Sequence, residues 1–294
     1  MSVLVVGDLI TDVIVIPDGP IIRGSDRKAT IRSRPGGSAA NLAVWLGSLG
    51  VPVSFAARIG AADVAAETAR LTGLGVTPLL AGDAELPTGV LICIVDADGE
   101  RSFLTDRGAN LNLTAADVPD HVLDGTSLLA VSGYSYFAPG PRAAVMELMQ
   151  AAKARGIATA IDPASVGFLR DVGTEQFLRW TQGTGTIFAN QDEAEELSGA
   201  SDPELQMRTL GRFYGRVVLK RGAMGAALGG RNGVTLTLPA PQSEVIDTTG
   251  AGDAFAAAFI AAELGGGDAE ACLRAAIEAG SRAVTTIGGQ PVAR

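Results

Sequence analysis

Residues 247–253 read Asp-Thr-Thr-Gly-Ala-Gly-Asp and stand between a predicted strand at 243–246 and a predicted buried helix at 254–260. A glycine-rich turn that opens a helix exposes backbone N–H groups and the positive end of the helix dipole. Glycine also allows a phosphate to approach the backbone where a side chain would block it. The turn is therefore predicted to bind a phosphate-like anion.

Asp253 needs its own explanation, because a carboxylate beside a phosphate repels it. In phosphoryl transfer, such a carboxylate accepts the proton of the attacking hydroxyl. It could equally complement the dipole of the helix that follows. A dinucleotide-binding turn is a third interpretation, although the third glycine of that fingerprint is missing. The residues of the turn alone leave the first two interpretations open.

The composition excludes several kinds of partner. The chain has 294 residues, 47% of them hydrophobic, and a net charge of −9. Such an acidic surface argues against nucleic acid and anionic membranes as partners. No apolar run approaches the length of a membrane span, and the two cysteines lie far apart without metal-ligand spacing. We expect a cytoplasmic protein.

Short apolar runs alternate with amphipathic stretches along most of the chain, a pattern typical of a parallel sheet covered by helices on both faces. Strands are predicted at 3–6, 128–131, 158–161, 186–189 and 217–219, helices at 39–49, 142–155 and 193–197, and one long helix over the alanine-rich tract 254–276. Two hairpin-like segments interrupt this pattern, the second turned by residues 96–99. We interpret residues 12–34 and 88–106 as a discontinuous β-sheet lid, and residues 1–11, 35–87 and 107–294 as the core.

A second motif identifies a family. Residues 35–43, Pro-Gly-Gly-Ser-Ala-Ala-Asn-Leu-Ala, resemble the N-terminal signature of the PfkB (ribokinase-like) carbohydrate kinases, and residues 247–255 resemble the C-terminal signature of that family. The resemblance covers essentially the whole chain. It implies a three-layer α/β/α core with a mostly parallel sheet and a small β-sheet lid. It also implies ATP-dependent phosphorylation of a primary hydroxyl on a small sugar or sugar-like molecule, such as a furanose, a keto-sugar or a sugar acid.

The resemblance assigns roles around the turn and on the nucleotide side. It implies that Asp253 is the catalytic base and that Gly250, Ala251 and Gly252 form the anion hole. Asn190 and Glu193 match an Asn-x-x-Glu motif that helps to place Mg²⁺, largely through water, although the same pair is typical of a helix cap. Further residues implied in ATP binding are Lys220, Gly222, Gly225 and Thr248.

The acceptor side is assigned in the same way. By resemblance, Asp12, Gly36, Gly37 and Asn41 bind the hydroxyls of the substrate, and Asp253 contacts the reacting one. Arg107 could reach an acidic substrate such as a sugar acid, or it could pair with Asp106 at the surface. A K⁺ site is implied by Asp247 and Thr249, with backbone carbonyls around Ala283, Thr286 and Gly288, while Val292 stands where some family members have a serine ligand.

Departures from the family pattern leave the substrate open. Ribokinases carry asparagine, lysine and glutamate at or near the positions of Ile10, Ser38 and Tyr134, so three ribose ligands are missing here. A nucleoside kinase and a catalytically silent sugar or nucleotide sensor remain alternatives, as does a dinucleotide-dependent oxidoreductase. Homodimerisation through the lid is a further expectation from the family.

Overall fold

The computed structural model of the chain describes residues 1–96 and 100–291. Its strands, in chain order, are β1 (Val3–Val6), β2 (Ile10–Pro17), β3 (Ala29–Gly36), β4 (Val53–Gly60), β5 (Val76–Asp83), β6 (Thr88–Val95), β7 (Arg101–Gly108), β8 (Leu128–Ser132), β9 (Ala158–Asp162), β10 (Thr186–Asn190), β11 (Arg216–Lys220), β12 (Ala226–Gly230) and β13 (Gly233–Leu238). Its α-helices are α1 (Ser38–Ser48), α2 (Val64–Gly73), α3 (Asp120–Asp124), α4 (Pro139–Ala154), α5 (Val166–Val172), α6 (Thr174–Thr181), α7 (Gln191–Ser198), α8 (Pro203–Leu210), α9 (Ala251–Leu264) and α10 (Ala269–Ala283).

Nine strands form the large sheet, in the order β13-β12-β11-β10-β9-β8-β1-β4-β5. The pairs from β11 through β10, β9, β8, β1 and β4 to β5 are parallel, and β12 and β13 close one edge in antiparallel pairs. The carboxyl ends of the parallel strands therefore meet at one edge. In open α/β sheets this is the edge where ligands bind.

Helices cover both faces of the large sheet because successive strand residues point to opposite sides. In β1, Val3 and Val5 pack in the core formed with α1, α9 and α10. Leu4 and Val6 pack in a second core with α4, α6, α7 and α8. The predicted three-layer α/β/α arrangement is confirmed.

The remaining four strands form a separate sheet, in the order β3-β2-β6-β7, which we call the small sheet. β2 and β3 are antiparallel, as are β6 and β7, and the two hairpins join through the parallel pair β2–β6. Both predicted hairpins are thus present and share one sheet. The predicted turn at 96–99 falls partly on residues 97–99, outside the described residues.

Two predictions of secondary structure are wrong. Residues 243–246 form no strand: Val245 and Ile246 are 63% and 52% exposed, and the Ile246 N–H donates to the Val284 carbonyl rather than to a neighbouring strand. The tract 254–276 is not one helix but belongs to two, since α9 ends at Leu264 and α10 begins at Ala269. Three consecutive glycines, residues 265–267, occupy the break, and Asp268 caps α10 through the Ala271 N–H.

Candidate active site

The glycine turn opens α9 at the carboxyl edge of the large sheet. Gly250 has a φ of 72°, and a Cβ there would lie 2.4 Å from the Cα of Gly289. Both the conformation and the backbone contact exclude a larger residue. The N–H groups of Gly252 and Asp253 begin the helix and have no acceptor within it. The turn therefore presents free donors at the positive end of a helix dipole.

Asp253 stands in the first turn of α9 and is held from α1. Ser38 Oγ donates to Asp253 Oδ1 at 2.8 Å, and Asn41 Nδ2 donates to Oδ2 at 3.1 Å. Burial of the carboxyl group, and then the negative charge of Asp162, raise the pKa of Asp253 to about 8, against the opposing effects of the two hydrogen bonds and Lys220. The two sequence motifs thus meet at one carboxyl group with an unusually high affinity for a proton.

Ser38 was not among the predicted site residues, although it lies inside the motif at 35–43. Where ribokinases carry a lysine, this chain has a hydroxyl that binds the carboxylate of Asp253. Position 38 therefore orients Asp253 in this protein.

Lys220 and Asp162 lie beside the turn. Lys220, at the end of β11, donates to Asp162 Oδ2 at 2.5 Å, and Asp162, at the end of β9, also accepts the Ala164 N–H at 3.0 Å. A Cβ at Gly252 would lie 3.1 Å from Lys220 Nζ. Asp162 was missed from the sequence; its signal is its place at the carboxyl end of a buried strand.

Asn190 and Glu193 form a reciprocal helix cap at the start of α7. The Asn190 N–H donates to Glu193 Oε2, and the Glu193 N–H donates to Asn190 Oδ1, both at 2.8 Å. Burial, and then the charge of Asp162, raise the pKa of Glu193 to about 7. These two hydrogen bonds confirm that the motif forms a helix cap. The same contact fixes a buried carboxylate near Asp162 and Lys220.

Asp8 is a further residue on the acceptor side that was not predicted from the sequence. It follows β1, is buried, and its Oδ2 accepts the Ser38 N–H at 3.0 Å. Gly37, which precedes α1, has a φ of 98°, and a Cβ there would lie 2.5 Å from the Asp8 carbonyl oxygen. Asp8 thus fixes the start of α1, and with it the two groups that hold Asp253.

Asp12, on β2, carries a carboxylate without a hydrogen-bond partner among the described residues. A Cβ at Gly36 would lie 2.3 Å from this carboxyl group, so only glycine fits beside it. Burial, and then the charge of Asp8, raise the pKa of Asp12 to about 6. Asn41 Oδ1 is also buried without a partner. These are free acceptors of the kind that bind hydroxyl groups.

Arg107 does not pair with Asp106, so that interpretation of the sequence is wrong. Asp106 is exposed, and its Oδ1 accepts the Gly108 N–H at 2.9 Å. Arg107 is half-buried, and its guanidinium lies 5.4 Å from the centre of the Tyr134 ring. Successive residues of a strand face opposite sides, so the two side chains are directed apart.

Some residues of the predicted cation site lie close together. Asp247 is buried, and its Oδ1 accepts the Thr249 N–H while its Oδ2 accepts the Gly288 N–H, each at 2.9 Å. The Ala283 carbonyl accepts both the N–H and the hydroxyl of Thr286, each at 3.2 Å. Val292 lies outside the described residues.

The remaining predicted ATP ligands surround the β11–β12 turn and the glycine turn. Gly222 has a φ of 54° with open space around it, whereas a Cβ at Gly225 would lie 2.0 Å from the Leu238 carbonyl oxygen. Gly225 is therefore required by packing against the end of β13. Thr248 is exposed on the glycine turn.

Two features are absent from the described residues. Over residues 1–96 and 100–291, no helix is long and apolar enough to cross a membrane. In the same described part of the chain, no group of three His, Cys, Asp or Glu side chains could hold a metal ion.

Comparisons with known proteins give one consistent result. The family model described as pfkB family carbohydrate kinase matches residues 1–293. The bifunctional protein HldE of Pseudomonas fluorescens (strain SBW25) is 31% identical over 85% of this chain and 53% of its own length, so the chain spans about half of that relative. Adenosine kinase from Sinorhizobium meliloti shares 25% identity and a TM-score of 0.87 over 99% of this chain and 96% of its own. An Escherichia coli protein solved in complex with ATP and Mg²⁺ shows the same fold, with a TM-score of 0.86, 24% identity, and coverage of 98% and 94%.

Proposed function

Because the chain belongs to the pfkB family of carbohydrate kinases, we propose that it transfers the γ-phosphoryl group of ATP to a primary hydroxyl of a small sugar or sugar-like molecule. One observation carries this proposal. Asp253 lies in the first turn of α9, held by Ser38 and Asn41, directly beside the free N–H groups of the turn. A base and an anion site in contact are what phosphoryl transfer to a hydroxyl requires.

Asp253 acts as the general base. The two hydrogen bonds from α1 fix the orientation of its carboxylate before the acceptor arrives. A raised pKa brings its proton affinity closer to that of the hydroxyl proton it must take up. The N–H groups of Gly252 and Asp253 stabilise the charge of the transferring phosphoryl group without reorganisation. A residue that only complemented the helix dipole would not need this arrangement of partners.

The nucleotide phosphates bind on the other side of the turn. Lys220 supplies the cation, and Asp162 keeps its ammonium group next to Gly252. Glu193, with Asp162 near it, would hold Mg²⁺ through water, which suits a cation that keeps much of its hydration. The raised pKa of Glu193 fits such a site, because a divalent cation would relieve the repulsion between the two carboxylates. When bound, Mg²⁺ neutralises phosphate charge.

The acceptor binds between the core and the small sheet. Asp12 and Asn41 offer free oxygen acceptors from these two sides, and Gly36 leaves room beside Asp12. We propose that the small sheet is the lid predicted from the sequence and that it excludes water during transfer.

We propose a K⁺ site beside Asp247 and Thr249. Asp247 joins the glycine turn to the 285–290 segment through Thr249 and Gly288. A monovalent cation bound here would act by fixing the turn rather than by contacting the acceptor. Activity measured with K⁺ replaced by tetramethylammonium tests this.

The proposed homodimer would form through the outer face of the small sheet. Strand pairing places Val15, Ile31, Ile94 and Leu104 on the face opposite Asp12, and Ile31 and Leu104 are 63% and 60% exposed. A second copy of the chain would cover this apolar surface.

An ADP-release screen tests the proposed function. Wild-type protein, MgATP and a panel of sugars, sugar acids, sugar phosphates and nucleosides should give release with at least one acceptor. Asp253→Asn should lower kcat by about 10²–10⁴ while leaving ATP binding intact. Glu270→Gln is the matched control, because Glu270 is an exposed first-turn acid of the neighbouring helix α10. Equal activity of the two variants would show that Asp253 serves only the helix dipole.

The main alternative acceptor is a nucleoside, favoured by the similarity to adenosine kinase of S. meliloti. The same panel separates the two, since a nucleoside kinase would phosphorylate adenosine and leave free sugars unchanged. A silent sensor would bind ligand without releasing ADP from any acceptor.

A further inference from the structure

Arg107 is a half-buried cation that forms no ion pair with any described carboxylate. Neither a carboxylate nor a carbonyl among the described residues accepts a hydrogen bond from its guanidinium, and Nε is buried without a partner. Three other partly buried arginines have carboxylate partners: Arg58 pairs with Asp117, Arg70 with Glu67, and Arg216 with Glu263. Arg34 and Arg142 donate to backbone carbonyls instead, and Arg221, directly after β11, also has a buried Nε without a partner. A desolvated cation left unpaired is costly, so its presence points to a ligand.

The backbone below Arg107 is fixed to the core. Asn110 Nδ2 donates to the carbonyls of Arg107 and Leu9, and Asn110 Oδ1 accepts the Leu9 N–H. A Cβ at Gly89 would lie 2.7 Å from the Arg107 carbonyl oxygen, so β6 and β7 approach closely here. Arg107 is therefore held at the junction of the small sheet with the carboxyl end of β1.

The guanidinium faces the acceptor side. Strand pairing and alternation place Arg107 on the face of the small sheet that carries Asp12. Its partner below is Tyr134, which packs edge-on against Phe137 and Phe168. Asp8 and Asp253, as well as Arg107, act electrostatically on the Tyr134 hydroxyl, so the ring lies among the acceptor-side groups.

We propose that the acceptor carries an anionic group, a carboxylate or a phosphate monoester, which binds to the guanidinium of Arg107 above the Tyr134 ring. The inference rests on the proposed function, because it names the class of molecule that the kinase phosphorylates. Asp8 and Asp12, on the same side of the cleft, would repel such a group, and Arg34, which pairs with Asp12 in the β2–β3 register, donates to the Ile287 carbonyl. The planar guanidinium can bind both oxygens of a carboxylate or phosphate, while its buried face remains on the aromatic ring.

Matched acceptor pairs test the proposal. Fructose 6-phosphate with fructose, and gluconate with gluconamide, differ in the anionic group and each offers a primary hydroxyl. For the wild type, at least one anionic member should have a kcat/KM well above that of its neutral partner. The pair that shows this difference tells whether the site prefers a phosphate or a carboxylate. Arg107→Gln should raise the KM of that member roughly 10- to 100-fold, with little effect on kcat or on the neutral member.

Arg32→Gln is the control, because Arg32 is an exposed arginine on β3 of the same sheet. Inorganic phosphate at millimolar concentration should compete with the anionic acceptor in the wild type and in Arg32→Gln, and only weakly in Arg107→Gln. The inference is overturned if both neutral members match or exceed their anionic partners, or if Arg107→Gln impairs both members equally.

A binding measurement tests the anion site independently of the proposed kinase activity. Thermal-shift titration with the same four compounds needs no turnover. A stronger shift with an anionic member, lost in Arg107→Gln but kept in Arg32→Gln, supports the anion site even if no ADP is released. Absence of ADP release from every acceptor contradicts the kinase proposal, whereas equal shifts for both members of each pair contradict only the anion site.

Discussion

The two sides of the candidate site are built differently. On the core side, Asp8, Asp162, Glu193 and Asp253 each accept hydrogen bonds from a neighbouring element or a helix N-terminus. On the small-sheet side, the side chains of Asp12 and Arg107 have no such partner among the described residues. We therefore assign catalysis to side chains that the protein already holds in place. Recognition of the acceptor is assigned to side chains that find hydrogen-bond partners only on the bound ligand.

The strongest test of a preorganised core side is Gly250→Ala. The new Cβ would meet the Gly289 backbone at 2.4 Å, and the φ of 72° would be strained. We expect kcat to fall about 10²–10³-fold, as for loss of an oxyanion donor, because the turn must shift. Gly266→Ala is the matched control: its φ is 83°, but nothing lies within 4 Å of the added atom. If both variants kept wild-type kcat in ADP-release assays, the turn would not be preorganised.

Electrostatic coupling within the core side can be read from the pH dependence. Asp253 must be ionised to accept a proton, so kcat/KM should decline as the pH falls below its pKa of about 8. The negative charge of Asp162 raises that pKa. Asp162→Asn should therefore move the acidic limb of the profile to lower pH. Asp171→Asn, at an exposed position on α5, should leave the limb in place. An unmoved limb in Asp162→Asn would contradict the coupling.

Asp253, on the core side, should also lower the stability of the folded protein near neutral pH. The pKa of Asp253 is about 8 in the folded protein, against an ordinary value of 3.8 for an aspartate in the unfolded chain. The folded state binds this proton more tightly, so the group destabilises the fold as the pH rises from about 4 to 8. Asp253→Asn should raise Tm by a few degrees at pH 8.5 and by less at pH 5. Calorimetry at the two pH values checks this, and a larger gain at pH 5 would reverse the assignment.

The smallest effect is expected on the outer face of the small sheet. Leu104→Ser changes an exposed side chain, so the free energy of unfolding of the monomer should change by no more than about 0.5 kcal/mol. The proposed dimer should weaken, which sedimentation across a concentration series would show. Thr105→Ser, on the opposite face of the same strand, should not alter association. A wild-type protein that stays monomeric at all concentrations would contradict the dimer.

Local sequence patterns predicted most of the fold. Residues 128–131 are apolar at every position because both faces of the sheet are covered, and this signal is local. The pattern failed at Val245 and Ile246, which resemble a strand but have no neighbouring strand to pair with. It failed again at residues 265–267, where the glycines that end α9 were present in the sequence but were outweighed by the surrounding alanines.

The sequence motifs predicted which residues belong to the site more reliably than they predicted the hydrogen-bond partners of those residues. Asp253 and Asn41 are 212 residues apart, and their hydrogen bond follows only from the meeting of α1 and α9. Asp8 and Asp162 stand at the ends of β1 and β9, where the topology rule would have indicated them. Arg107 and Asp106 are directed apart by the alternation of β7, and the position of Arg107 above Tyr134 follows only from the folded structure.

The parallel pairing of β2 with β6 bears on the order of folding. Ile10 pairs with Gly89, and the intervening chain includes β4 and β5, which belong to the large sheet. Closing so long a loop costs entropy that the few contacts of this pair cannot offset alone, whereas the hairpins β2–β3 and β6–β7 can form locally. The two hairpins should therefore associate only after β1, β4 and β5 have brought their ends together. During refolding, the small-sheet part of the acceptor side would then acquire its structure only after these strands of the large sheet have paired.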